Sequence, residues 1–106
     1  MINYQSDVCS DRFIISIEGH SGVAPVGYDI ICAAASGLAL TLVEAFKKLD
    51  EEGELSHFYY SVSKGAVALD ATVKARAGER AATIAETITD GFLLLEEHYP
   101  EQVSVG

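Results

Sequence analysis

An α+β fold, with two helices packed on one face of a mixed β-sheet, is what this sequence predicts, and three observations carry the prediction. Short runs in which apolar and polar residues alternate, the mark of half-buried strands, come in adjacent pairs. Two longer runs repeat their apolar residues at three- and four-residue steps, as helices do. These patterns follow one another in the order β-β-α-β-β-α-β, and two amphipathic helices laid on one sheet face bury both of their stripes. With 106 residues, 49% of them hydrophobic, one domain spanning 1–106 is expected, with a core that needs neither disulfide nor structural metal.

The first strand pair is "MINYQ" and "RFIISIEG", with the polar cluster "SDVCSD" between them as the hairpin connection. Phe13, Ile15 and Ile17 supply its apolar face. From Asp29 to about Asp50 the period becomes helical. Asp29 is a good N-cap, because its carboxylate accepts from the free N–H groups of a first turn. Ile31, Ala35, Leu38, Leu42, Ala45, Phe46 and Leu49 form the stripe, and Gly53 marks its stop. A second hairpin follows, "HFYYSVS" and "AVALDATVK" around the turn Lys64–Gly65. Gly78 precedes a second helix, with Ala81, Ile84, Ala85, Ile88, Phe92 and Leu95 on one side. Pro100 ends it, and "QVSV" adds a last short strand.

Charge and cysteine content narrow the function. A net charge of −9 argues against a nucleic-acid surface, which needs clustered Lys and Arg, and suits a basic partner or solubility alone. The N-terminus "MINYQSD" lacks the basic start and apolar centre of a signal peptide, and no run approaches the ~20 uninterrupted apolar residues of a membrane helix. A cytoplasmic protein with no membrane contact is expected. Two cysteines do not make a disulfide framework. Cys9, Cys32, His20, His57 and His98 show no metal-ligand spacing, so no metal and no cofactor is expected.

The stretch "GHSGVAPVGYDIICAAAS", residues 19–36, is where chemistry concentrates. If Asp29 caps the helix, Cys32 is its third residue, near free N–H groups and the positive end of the helix dipole. Helix N-termini favour the thiolate, the reactive form of cysteine. A lone Cys beside Ala and Ile is usually a small core residue. His20 shifts the balance: the loop 21–28 returns the chain to the helix start, so His20 and Cys32 belong at one edge of the sheet. There His20 can accept the thiol proton and later protonate a leaving amine. Gly19, Gly22 and Gly27 let the loop move or a substrate backbone approach. Asp29 either caps the helix or orients His20, and Ser36, one turn beyond Cys32, lines the pocket or allows close packing.

This stretch resembles the signature of the ribosomal-processing cysteine proteases of the Prp family: G-H, a small residue, G, a short glycine-bearing loop, D-I, an aliphatic residue, then C-A-A-x-S. The closing "GFLLLEEHYPEQVSV" is similar to that family's C-terminal helix, Tyr-Pro break and final strand. The resemblance implies a cysteine endopeptidase with a Cys–His dyad, Cys32 as nucleophile and His20 as base. Asp29 and Ser36 would support the site, and the loop 21–28 would be a mobile cover that orders around substrate. It also implies a homodimer and, as substrate, the N-terminal extension of ribosomal protein L27, cut after a motif ending in phenylalanine. The competing reading, from another class, is a catalytically silent module that binds a ribosomal protein or an assembly intermediate.

Overall fold

Strands form where the sequence alternates. In the computed structural model, which describes residues 1–20 and 29–106, β1 (Ile2–Cys9) pairs antiparallel with β2 (Arg12–Glu18), Tyr4 opposite Ile17 and Val8 opposite Phe13. The polar cluster expected to connect them instead extends β1 as far as Cys9. The turn shrinks to Ser10 and Asp11, with Ser10 in the left-handed region at φ 57°. An edge of alternating Ser6, Asp7, Val8 and Cys9 still satisfies the ladder, because pairing is a backbone matter.

The helix α1 (Ile30–Glu51) follows, then β3 (Leu55–Ser63), β4 (Ala66–Val73), a single 3-10 turn at Ala75–Ala77, α2 (Gly78–His98) and β5 (Val103–Val105). This is the expected element order and the expected α+β class. The sheet runs β3-β4-β2-β1-β5, antiparallel except for the β1–β5 pair. That order explains the helices. The chain leaves β2, crosses by α1 to β3, and later leaves the oppositely directed β4 to cross by α2 the other way to β5. Right-handed crossovers, the nearly universal hand, taken in opposite directions from oppositely directed strands, put both helices on the same face.

One core lies between that face and the helices. Ile2 and Tyr4, Phe13, Ile15 and Ile17, and Leu69, Ala71 and Val73 point into it from the strands. From α1 come Ile31, Ala35, Ala39, Leu42, Phe46 and Leu49, and from α2 Ala81, Ala85, Ile88 and Phe92. Tyr4 is fully buried, stacked on Phe92 with ring centroids 4.5 Å apart. Its hydroxyl lies 2.6 Å from that of Thr89, which donates on to the Ala85 carbonyl, so the buried polar group is satisfied.

The ends of α1 are fixed by local chemistry. At its C-terminus Gly53 adopts φ +78°, and the N–H groups of Gly53 and Glu54 return to the carbonyls of Asp50 and Leu49, a Schellman stop. Arg80 forks onto Glu52, and Arg76 pairs with Glu54, tying this end to the start of α2. An 18-residue window of α1 has a mean hydropathy of 1.6, so by length and composition it is apolar enough to cross a bilayer, which a search for uninterrupted apolar runs does not register. Its Leu and Ala content is nonetheless arranged as a stripe against the sheet.

Candidate active site

The site lies at the end of the sheet where β2 finishes and α1 begins. Glu18 pairs with Ala66 and with Asn3, so the end of β2, the start of β4 and the start of β1 meet there. Gly19 then turns at φ +107°, and its N–H donates to the Gly65 carbonyl at 2.9 Å. His20, exposed, follows directly. Gly22, Gly27 and the whole loop 21–28 lie outside the described residues, and the expectation of a mobile cover lies there with them.

Asp29 is the N-cap of α1. Its Oδ1 accepts from the N–H of Ile31 at 3.1 Å and of Cys32 at 3.0 Å, while its own carbonyl accepts from the N–H of Ala33 at 3.1 Å. Of the two roles open to Asp29, capping is therefore realised, and the first-turn N–H groups of residues 31 to 33 are engaged by Asp29. Its carboxyl is held below the ordinary carboxylate range, first by the Cys32 N–H, then by the Cys32 thiol, the Ile31 N–H and the charge of nearby His20, with desolvation opposing. One carboxylate thus touches the backbone and thiol of Cys32 and feels the His20 ring.

This has a pH consequence. A carboxyl whose folded pKa is depressed contributes stability above its unfolded value, and that stability is lost as pH falls through the folded value. Asn caps as well as Asp but does not titrate. Asp29→Asn is expected to flatten the acid limb of the stability profile below about pH 4, measured as the urea midpoint at pH values from about 2 to 5. Glu52 and Asp70, held low by Arg80 and Arg12, keep part of the limb, and one as steep as in the unsubstituted protein would count against the cap as a contributor.

Cys32, half-buried, and His20 both line a cavity of about 670 Å³. Gly19, Asp29 and Ser36 line it too, so the described members of the expected constellation share one hollow. Its apolar floor comes from Ile2, Ile17 and Val67, and its rim from Leu40 and Val62. Small residues on α1, Ala33, Ala35, Ser36 and Ala39, leave the space open. Sequence reasoning missed the wall formed by Ser63, Lys64 and Gly65. It identifies the turn, but only the strand order β3-β4-β2 brings that turn beside His20. Cys9, by contrast, is exposed on the first hairpin, and among the described residues Cys9 and Cys32 form no disulfide. Among the described residues no three His, Cys, Asp or Glu side chains converge as metal ligands.

Comparison with known proteins supplies the family. A crystal structure of an essential ribosomal processing protease Prp from S. aureus, with a covalently linked product peptide, matches with a TM-score of 0.76 at 20% identity, over 100% of this chain and 98% of that one. The S. aureus Prp with a substrate peptide matches at 0.70 and 19%, with the same coverage. A Streptococcus mutans protein matches at 0.67 and 24% identity, over 99% of this chain and 91% of that one. No curated protein sequence matches. At these identities the structures establish a shared fold. The sequence model of the cysteine protease Prp family matches residues 1–104, almost the whole chain, and with it this cysteine-type peptidase belongs to the cysteine protease Prp family.

Proposed function

We propose that this protein is a cytoplasmic, homodimeric endopeptidase that removes the N-terminal extension of ribosomal protein L27 during maturation of the large ribosomal subunit. The observation that carries the reading is the shared cavity of Cys32 and His20, with Asp29 bonded to the backbone of Cys32. Cys32 Sγ attacks the scissile carbonyl carbon and its proton passes to His20. The imidazolium then protonates the departing amine as the C–N bond breaks, leaving a thioester on Cys32. Water, deprotonated by His20, releases the new carboxylate and restores the thiol.

The oxyanion raises a geometric condition. The Ile31 and Cys32 N–H groups aim at the Asp29 carboxylate, so they serve a developing oxyanion only once that carboxylate yields them. Substrate class is supported by the cavity walls. An apolar floor opened by small α1 residues suits a bulky side chain such as phenylalanine beside the scissile bond. The net charge of −9 suits a basic peptide, and the S. aureus Prp has been seen with both substrate and product peptides.

The test is a synthetic peptide spanning the junction between extension and mature L27, followed by mass spectrometry. A single cut after the phenylalanine, lost when Cys32 is alkylated, is expected. Saturable binding without any cut would instead identify a silent binding module. Because the attraction is electrostatic, KM is expected to rise as salt is raised from about 0.05 to 0.5 M, where screening shortens the Debye length to a few ångströms. A KM that does not change with salt would remove the charge argument for a basic substrate.

A further inference from the structure

We propose that Gly65, in the turn between β3 and β4, is a positioning residue for His20: the bare Cα of Gly65 leaves the space that the imidazole ring occupies. The inference rests on His20 being the catalytic base. Gly65 has φ +79°, and a Cβ placed on it would come within 2.8 Å of His20 Nε2 and 3.1 Å of Cε1. Real Cβ atoms essentially never approach to 2.8 Å, so with a side chain at 65 something must shift, and the exposed imidazole ring is the neighbour that meets it. The same residue accepts the Gly19 N–H through its carbonyl, one position before His20. The turn therefore holds the backbone that leads to the base and shapes the space for its ring. Both contacts come from a hairpin distant in sequence, brought in because β4 is the neighbour of β2.

Two effects of a methyl at 65 must be separated, left-handed backbone strain and displacement of the ring. Gly53 provides the control. It has nearly the same φ, +78°, yet a Cβ there meets nothing within 4 Å, and it lies at the far end of α1. Gly53→Ala and Gly65→Ala should both lower the thermal midpoint, since both ask an L residue to adopt a glycine conformation. Only Gly65→Ala should reach the chemistry.

The experiment measures steady-state cleavage of the L27-junction peptide, and in parallel the NMR signals of the His20 ring, including its contact with the α-protons of residue 65. Gly65→Ala is expected to lower kcat by about 100-fold, the scale of an ångström misplacement of a catalytic group, with KM within about twofold. The His20 ring shifts should change, while in Gly53→Ala both kcat and the ring shifts stay as in the unsubstituted protein. Unchanged kcat in folded Gly65→Ala, or an undisturbed His20 ring, would overturn the proposal. The ring signals report the contact whatever the enzyme cleaves, so a failure of the substrate assignment and a failure of the Gly65 seat give different results.

Discussion

Cys32→Ala is expected to reduce peptide cleavage by on the order of 10⁴–10⁶-fold, the range seen when one member of a nucleophile–base unit is removed from a protease. Binding should survive within a few-fold, since only the sulfur is removed and the Asp29 cap bonds to the backbone N–H at position 32. His20→Ala should fall in the same range, because an unassisted thiol must then lose its proton to water and the leaving amine has no acid. The double variant should be hardly worse than either single one, since the two groups act on the same proton. Single-turnover cleavage and fluorescence binding of the same peptide measure these quantities. Turnover that survives in Cys32→Ala would sink the mechanism, whereas losses that multiply in the double variant would mean that His20 acts elsewhere than on Cys32. Folding is a small concern for either variant, as His20 is exposed and Cys32 half-buried.

Much of this site is legible without coordinates, and the reason is locality. Asp29, Cys32 and Ser36 belong to one helix start, where cap chemistry and a four-residue period dictate the geometry. His20 is only one loop away. The helix stripes are legible too, because a period of 3.6 marks the buried side: Ile31, Ala35, Leu42, Phe46 and Leu49 are all buried. Ala39 and Val43 escape because the steps followed, 35 to 38 to 42, are one of two helical paths along the stripe, and 35 to 39 to 43 is the other. Tyr4 escapes because its hydroxyl disguises a core residue, and the distant Thr89, which makes its burial tolerable, has no local signature. The Lys64–Gly65 wall escapes for a different reason. Alternation fixes which face a residue takes but not which strand lies next to which, so contacts across β2 and β4 have no local signature.

Gly19→Ala is expected to be the most damaging glycine-to-alanine change among the described residues, and it joins stability to function. At φ +107° the position lies outside even the small left-handed region that other residues tolerate, which costs roughly 1–3 kcal/mol. A Cβ at Gly19 would also overlap the carbonyl oxygen of Met1. That neighbour is backbone, held where the next residue, Ile2, donates its N–H to the Gln102 carbonyl, so no rotamer change relieves the contact and overpacking adds about 1–3 kcal/mol. Together these should lower the thermal midpoint by about 10 °C or more, at 4–8 °C per kcal/mol for a domain near this size. Gly37→Ala provides the contrast: it lies on the exposed side of α1, a Cβ there meets nothing within 4 Å, and Ala favours helix by about 1 kcal/mol. Its midpoint should rise. Thermal unfolding of the two variants side by side tests both signs, and a Gly19→Ala midpoint within about 2 °C of the unsubstituted protein would contradict the argument, given the same slope. Function should follow in Gly19→Ala beyond its instability, because relieving the overlap shifts the start of β1, whose Ile2 forms the floor of the cavity, or the residue that leads into His20. Cleavage per folded molecule should therefore fall in Gly19→Ala at temperatures well below its midpoint, while Gly37→Ala keeps full turnover.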